Sequence, residues 1–358
     1  MLFRSNDDKE DFVRRFFPGR EKMLERSTSE QSFQRIVKDL RNGEQERIVT
    51  APVDANLLVL AGPGSGKTRV VAHRIAWLLR VQRVRPTGIL ALCFNRGAVL
   101  NLRQRLRDLV GNDIAGVTTL TFHGLALRLT GRSLALNNSV NESFDLERII
   151  PEAIALLQGE RETIGFAADE ACETLLARYS HILVDEYQDI DSDQYQLISL
   201  LAGRTRQEKE AKLAILAVGD DDQNIYRFRG ANVDFIRRFH RDYEAEIHYL
   251  VENYRSSAQI IAAANQLIAC NRDRMKTEHP IRINRARAGL PAGGNWQMLD
   301  SLAKGRVQVL EVDDERCQAA ALVGELQRLQ RLGEQWDLNR CAVLARQWNE
   351  LEIGRAHV

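Results

Sequence analysis

The stretch "NLLVLAGPGSGKTRVVAHRIAWLL", Asn56 to Leu79, decides the fold. Its apolar run Leu57–Leu60 reads as a buried parallel strand, and Val71, Ile75, Leu78 and Leu79 recur at helical spacing after the glycines. Between strand and helix, Ala61-Gly62-Pro63-Gly64-Ser65-Gly66-Lys67-Thr68 matches the pattern GxxxxGK[ST] with alanine in place of the first glycine, in the strand–loop–helix context that the pattern needs. Glycine lets backbone N–H groups turn inward, and the helix N-terminus adds partial positive charge, so the loop from Ala61 to Thr68 is built to cradle phosphates. Lys67 reaches toward β and γ phosphates, and the Thr68 hydroxyl is placed to hold Mg²⁺.

Working outward, "SHILVDEYQDI" supplies carboxylates. Ile182-Leu183-Val184 reads as a second buried strand, with Asp185 and Glu186 at its C-terminal end, where ligands of open α/β sheets bind. Asp185 is expected to hold Mg²⁺ and Glu186 to orient an attacking water. "KLAILAVG" and "GILALCF" (Gly88–Phe94) read as further strands. Strands alternating with helical segments, with a phosphate loop after the first, predict an α/β domain with a mostly parallel sheet of the RecA-like P-loop NTPase type.

Composition narrows the class without choosing a partner. The chain has 358 residues, 44% hydrophobic and 28% charged, enough for two or three domains at roughly 100–200 residues each. A formal net charge of +1 means that any nucleic-acid affinity must come from local patches. Five widely spaced cysteines, with no CxxC pair, argue against a zinc site, an iron–sulfur cluster or a disulfide framework and fit a reducing cytoplasm. No apolar run is long enough for a membrane span, so no membrane partner is expected.

Taken together the motifs resemble, in order, those of the UvrD/Rep/PcrA-type helicases of superfamily 1. The resemblance runs over roughly residues 32–351. It rests on Gln45 in "NGEQERIV", "AGPGSGKT", "ILALCFNRGAVLNL", "VTTLTFHGLAL", "VDEYQD", "VGDDDQNIYRFRGA" and "ENYRSSAQIIAAAN". It implies ATP with Mg²⁺, hydrolysis stimulated by single-stranded DNA bound without sequence choice, and translocation, usually 3′-to-5′, in repair or recombination. A cytoplasmic, nucleoid-associated location goes with that role. Carried onto this chain, the resemblance makes Gln45 the adenine reader and Tyr254 its stacking partner. Arg255 and Gln223 become the γ-phosphate contacts, and Arg69 a residue that approaches the nucleotide. Phe94, Phe122, His123, Tyr226 and Phe228 become contacts to the DNA strand, Phe228 standing where tryptophan is common in the family. The competing residue-level reading puts Phe94 and Phe228 in the core. The alternative function is a catalytically silent DNA-binding subunit of a helicase–nuclease complex; a small-molecule phosphotransferase would have no use for the later motifs.

The expected organisation follows from these motifs. Residues 1–30 form an extension or linker, 31–125 with 180–250 a first RecA-like domain, 126–179 a short helical insert, and 251–352 the start of a second RecA-like domain. The insert is shorter than the family commonly carries, which weakens the case for contacts to duplex junctions. After the last motif, "GRVQVLEVDDERCQAAALVGELQRLQRL" reads as strand then amphipathic helix, and "CAVLAR" as another strand. The family's motifs V and VI would follow. "MLFRS" at the start and "IGRAHV" at 353–358 resemble translated adaptor oligonucleotide, so the natural segment is expected to be about Asn6–Glu352, cut from a longer protein with further domains or repair partners, and the segment alone is not expected to unwind DNA.

Overall fold

The computed structural model describes residues 15, 30–132, 146–160, 178–204, 212–332, 337, 339 and 341–345. Of the expected extension, 1–30, all but residues 15 and 30, and of the expected insert most, 133–145 and 161–177, lie outside the described residues. The chain divides into two compact units, one of residues 1–251 with 273–279, the other of 252–272 with 280–358.

The first unit is built on a six-stranded sheet of order β3-β2-β4-β5-β1-β6. Its strands are β1 (Leu57–Ala61), β2 (Ile89–Cys93), β3 (Thr118–Thr121), β4 (His181–Asp185), β5 (Ala214–Gly219) and β6 (Glu246–Leu250). Every pairing is parallel, for example Leu57↔Leu216 and Leu183↔Leu216 on the two sides of β5. A parallel sheet covered by helices on both faces needs apolar side chains on both, which explains why LLVLA, ILALC and the ILV of β4 are continuous apolar runs and not alternating ones. Leu58 and Leu60 pack into one core and Leu57, Val59 and Ala61 into the other. The helix Ile149–Leu157, within the expected insert, packs into the first of these cores.

Short polar signals set the helix ends. Asn42 caps Gly43–Thr50 by accepting from the N–H groups of Glu44 and Gln45, and Asn95 caps Arg96–Val110 through Ala98. Buried Arg74, on the phosphate-loop helix Lys67–Arg80, donates to the carbonyls of Val49, Ala51 and Pro52 and so satisfies the C-terminal end of the helix that carries Gln45. Removal from water pulls its guanidinium down to about 10.

The second unit contains a two-stranded parallel ladder, β7 (Glu252–Asn253) with β8 (Arg282–Ile283), and the helices Ala258–Ile268, Trp296–Leu299 and Glu315–Gln330. The helix expected after "GRVQVLEVDD" is present; the strand is not. Residues 306–312 and 341–345 carry no strand, and Val309 is 91% exposed. The composition suits a strand, but an extended segment becomes one only when a neighbour takes its N–H and C=O groups.

Candidate nucleotide site and adjoining aromatic row

The sheet order explains why the site forms. β4, β5 and β1 are adjacent, so the loops leaving their C-terminal ends meet at one edge of the sheet. The β1 loop is the phosphate loop. Gly64 and Gly66 have φ of +67° and +91°, and a Cβ on Gly66 would stand 3.1 Å from the Gln45 amide nitrogen, so both backbone and space require glycine at 66. Ser65 Oγ donates to Gly62 O at 2.6 Å and closes the turn.

Thr68 Oγ1 donates to Asp185 Oδ2 at 2.9 Å, which brings together the two groups expected to hold Mg²⁺. Burial pushes the Asp185 carboxyl up to about 6, with the neighbouring charge of Glu186 adding to the effect and the Thr68 bond opposing it. A buried hydroxyl–carboxylate pair of this kind fits a hard divalent cation, which would supply the missing positive charge. Glu186 lies 3.5 Å from Lys67 Nζ. Its φ of 56° and ψ of 49° are left-handed, a conformation that costs a non-glycine residue roughly 1–2 kcal/mol. Neighbours hold it there: its N–H donates to Asp185 Oδ1 at 3.1 Å and its Oε2 accepts from Gln188 Nε2 at 2.9 Å.

From the β5 loop, Gln223 Oε1 accepts from Lys67 Nζ at 3.3 Å. Lys67, Thr68, Asp185, Glu186 and Gln223 therefore share one cluster. Gln45 joins from the side. It is 1% exposed, donates to Ser65 O at 2.9 Å, and its Oε1 is buried with no hydrogen-bond partner. An orphaned buried acceptor is costly unless a ligand supplies the donor, and an exocyclic amine on a purine would do so. Arg69 points elsewhere, donating to Asp39 O at 2.7 Å.

A row of rings begins in the same β5 loop. Phe94, half-buried just after β2, lies 4.9 Å from the Tyr226 ring, and Tyr226 lies 6.2 Å from Phe228. Phe228 is 78% exposed, so the core reading of this residue does not hold. Phe122 corrects the sequence reading in the other direction. It is 3% exposed and packs with Leu125, Ala126 and Leu129 in the core, while its neighbour His123 is exposed. Its ring anchors the helix Phe122–Leu129 and presents no face to a base.

Tyr254 and Arg255 belong to the second unit, on the turn after β7. Buried Asn253 shapes that turn by accepting from the N–H groups of Arg255 and Ser256 at 2.8 and 2.7 Å. Arg255 is exposed and Tyr254 Oη donates to Glu252 at 3.4 Å.

Sequence reasoning passed over two features. Gln188 is a hub: its Nε2 serves Glu186 and Asp189, its Oε1 accepts the Asp220 N–H at 2.9 Å, and its carbonyl takes Asn224 Nδ2 at 2.7 Å. Gly219 must lack a side chain, because a Cβ would meet Gln188 Oε1 at 2.7 Å. The other feature is Lys276, fully buried against Asp220, Asp221 and Asp222.

A family model described as AAA domain matches residues 45–229, from the buried glutamine through the aromatic row. The chain belongs to the AAA domain family. Among curated relatives, DNA helicase II of Escherichia coli is 35% identical over 305 residues, covering 66% of this chain and 41% of that one. ATP-dependent DNA helicase PcrA of Staphylococcus epidermidis is 28% identical over 370 residues, covering 84% and 47%. These likenesses agree with the UvrD/Rep/PcrA-type resemblance carried by the motifs. The chain thus spans less than half the length of the two relatives. A solved Pif1 helicase from Candida albicans overlaps at 14% identity with a TM-score of 0.40, over 80% of this AAA-domain chain and 54% of its own. Among the described residues no helix is long and apolar enough to cross a membrane.

Proposed function

We propose that this chain is the ATP-binding part of a DNA helicase or translocase that couples ATP hydrolysis to 3′-to-5′ movement on single-stranded DNA in repair or recombination. Support comes above all from one loop: within six residues, Gln223 reaches the phosphate-loop lysine and Phe228 offers an exposed ring. In this reading Lys67 and the loop amides hold the phosphates, Thr68 and Asp185 hold Mg²⁺, and Glu186 orients water for attack on the terminal phosphate. Gln45 and Tyr254 recognise adenine, Arg69 stays near the nucleotide through its helix, and Arg255 contacts the γ-phosphate; residues 251–352 are the start of a second RecA-like domain. Phe94, His123, Tyr226 and Phe228 line the strand. Stacking is worth roughly 1–3 kcal/mol per base and is indifferent to sequence, which suits a motor that must hold DNA without choosing it. A cytoplasmic, nucleoid-associated protein with further domains or repair partners is the setting that fits. A complete hydrolytic set speaks against the silent-subunit alternative.

Nucleotide titration and hydrolysis assays of two variants test this reading. Lys67→Ala should lose ATP binding, because the phosphate charge loses its partner. Glu186→Gln should keep binding and lose hydrolysis, because the changed group handles water and not phosphate. Undiminished hydrolysis in Glu186→Gln would overturn the assignment.

A further inference from the structure

Between two stretches of the second unit, residues 273–279 belong to the first. This short segment is pinned along its length. Asp273 pairs with Arg237, Arg274 holds both oxygens of Asp222 at 2.8 and 2.9 Å, and the His279 ring stacks 3.8 Å from Tyr249. Lys276 lies at its centre, 0% exposed, with its ammonium on Asp220, on Asp221 at 2.7 Å and on Asp222 at 3.1 Å. Three carboxylates this close are a set that suits a cation. Here the lysine ammonium meets them instead, hydrogen-bonded to Asp220 and Asp221 and ion-paired with Asp222. Burial opposes the lysine's charge, but attraction to Asp220 and Asp221 outweighs it and holds the pKa above the ordinary value.

Asp220 carries the effect onward. One of its oxygens takes Lys276 and the other accepts Nε2 of Gln223. A carboxylate only accepts and an ammonium only donates, so the Gln223 amide has one orientation: nitrogen on Asp220, oxygen on Lys67. An amide nitrogen has two N–H groups. The Asp220 bond uses one of them.

We propose that Lys276 is a positioning residue for triphosphate recognition: by clamping Asp220 it fixes the Gln223 amide beside Lys67, with its second N–H set for the terminal phosphate of a nucleoside triphosphate. The inference rests on the nucleotide-binding reading above. It predicts that Lys276, far from the phosphate loop in sequence, decides how well the site tells a triphosphate from a diphosphate.

The test titrates residues 1–358 with ADP and with a non-hydrolysable ATP analogue, both with Mg²⁺, and follows the ratio of the two affinities. In Lys276→Met the preference for the analogue should fall by roughly tenfold, the size of one hydrogen bond to a charged group, with ADP affinity unchanged. Gln223→Ala should fall as far, and the double variant no further. Lys276→Arg, which keeps charge and donors, should recover part of the preference. If Lys276→Met does not fold, Asp220→Ala replaces it, since Lys276 then keeps two carboxylates; it too should lose the preference. A folded Lys276→Met or Asp220→Ala protein with full preference, or one weakened equally for both nucleotides, would overturn the positioning role. Failure of the unaltered chain to bind either nucleotide would overturn the nucleotide reading itself.

Discussion

Leu58 and Val309 sit in stretches of similar composition, LLVLA at 57–61 and VQVLEV at 307–312, with opposite fates. The first is a strand buried on both faces and paired with β5 and β6; the second carries no strand, and Val309 stands 91% exposed. Apolar content states what a segment can do, and flanking strands decide whether it does. The phosphate loop inherits its rigidity from that difference, because the strand feeding it is locked on both sides.

The sharpest way to break the comparison is to truncate each side chain. Leu58→Ala should cost roughly 2–5 kcal/mol in urea unfolding, while Val309→Ala should stay within about 0.5 kcal/mol. Equal losses would mean that the second stretch is packed after all.

A pH series sharpens the contrast at the site end of the sheet. The native Asp185 carboxyl keeps its proton to about pH 6 and the unfolded one releases it near 4. Between those values the native state binds more protons, so stability falls as pH rises through the window and levels off above it. For a buried group the fall amounts to about 3 kcal/mol without metal. Asp185→Asn should remove it and leave a smaller slope of the same sign from Asp189, whose carboxyl burial also lifts to about 6. An unchanged slope in Asp185→Asn would show that the carboxyl is not strained by burial.

Smaller in energy is the change at the aromatic row. Phe228→Ala should leave melting nearly untouched and weaken binding of an oligothymidylate by roughly 1–3 kcal/mol, and Phe228→Trp should restore it. A lowered melting temperature with unchanged strand affinity would return Phe228 to a packing role.

How much of this was legible in the sequence varies with the range of the interaction. Four of the six strands of the first unit, β1, β2, β4 and β5, could be read because apolar runs and glycine placement are local signals, whereas β3 (TTLT) and β6 (EIHYL) carry no such run and were not read as strands. The convergence of Lys67, Asp185 and Gln223 was legible through the motifs, which imply the sheet order that brings them together. Phe122 was misread from its motif, although Phe122, Leu125, Ala126 and Leu129 form a helical stripe that marks it as core. Lys276 was invisible: "NRDRMKTE" looks like any charged turn, and its partners lie more than fifty residues away. A hint lay in "GDDD", since three aspartates directly after a buried strand need cations from somewhere.

In the proposed function one loop, Gln223 to Phe228, senses nucleotide at one end and strand at the other. The direct test is oligothymidylate affinity of residues 1–358, measured with and without Mg²⁺ and a non-hydrolysable ATP analogue. The analogue should shift strand affinity in the unaltered chain, and Gln223→Ala should abolish the shift while leaving nucleotide-free strand affinity intact. An equal shift in both proteins would contradict the claim.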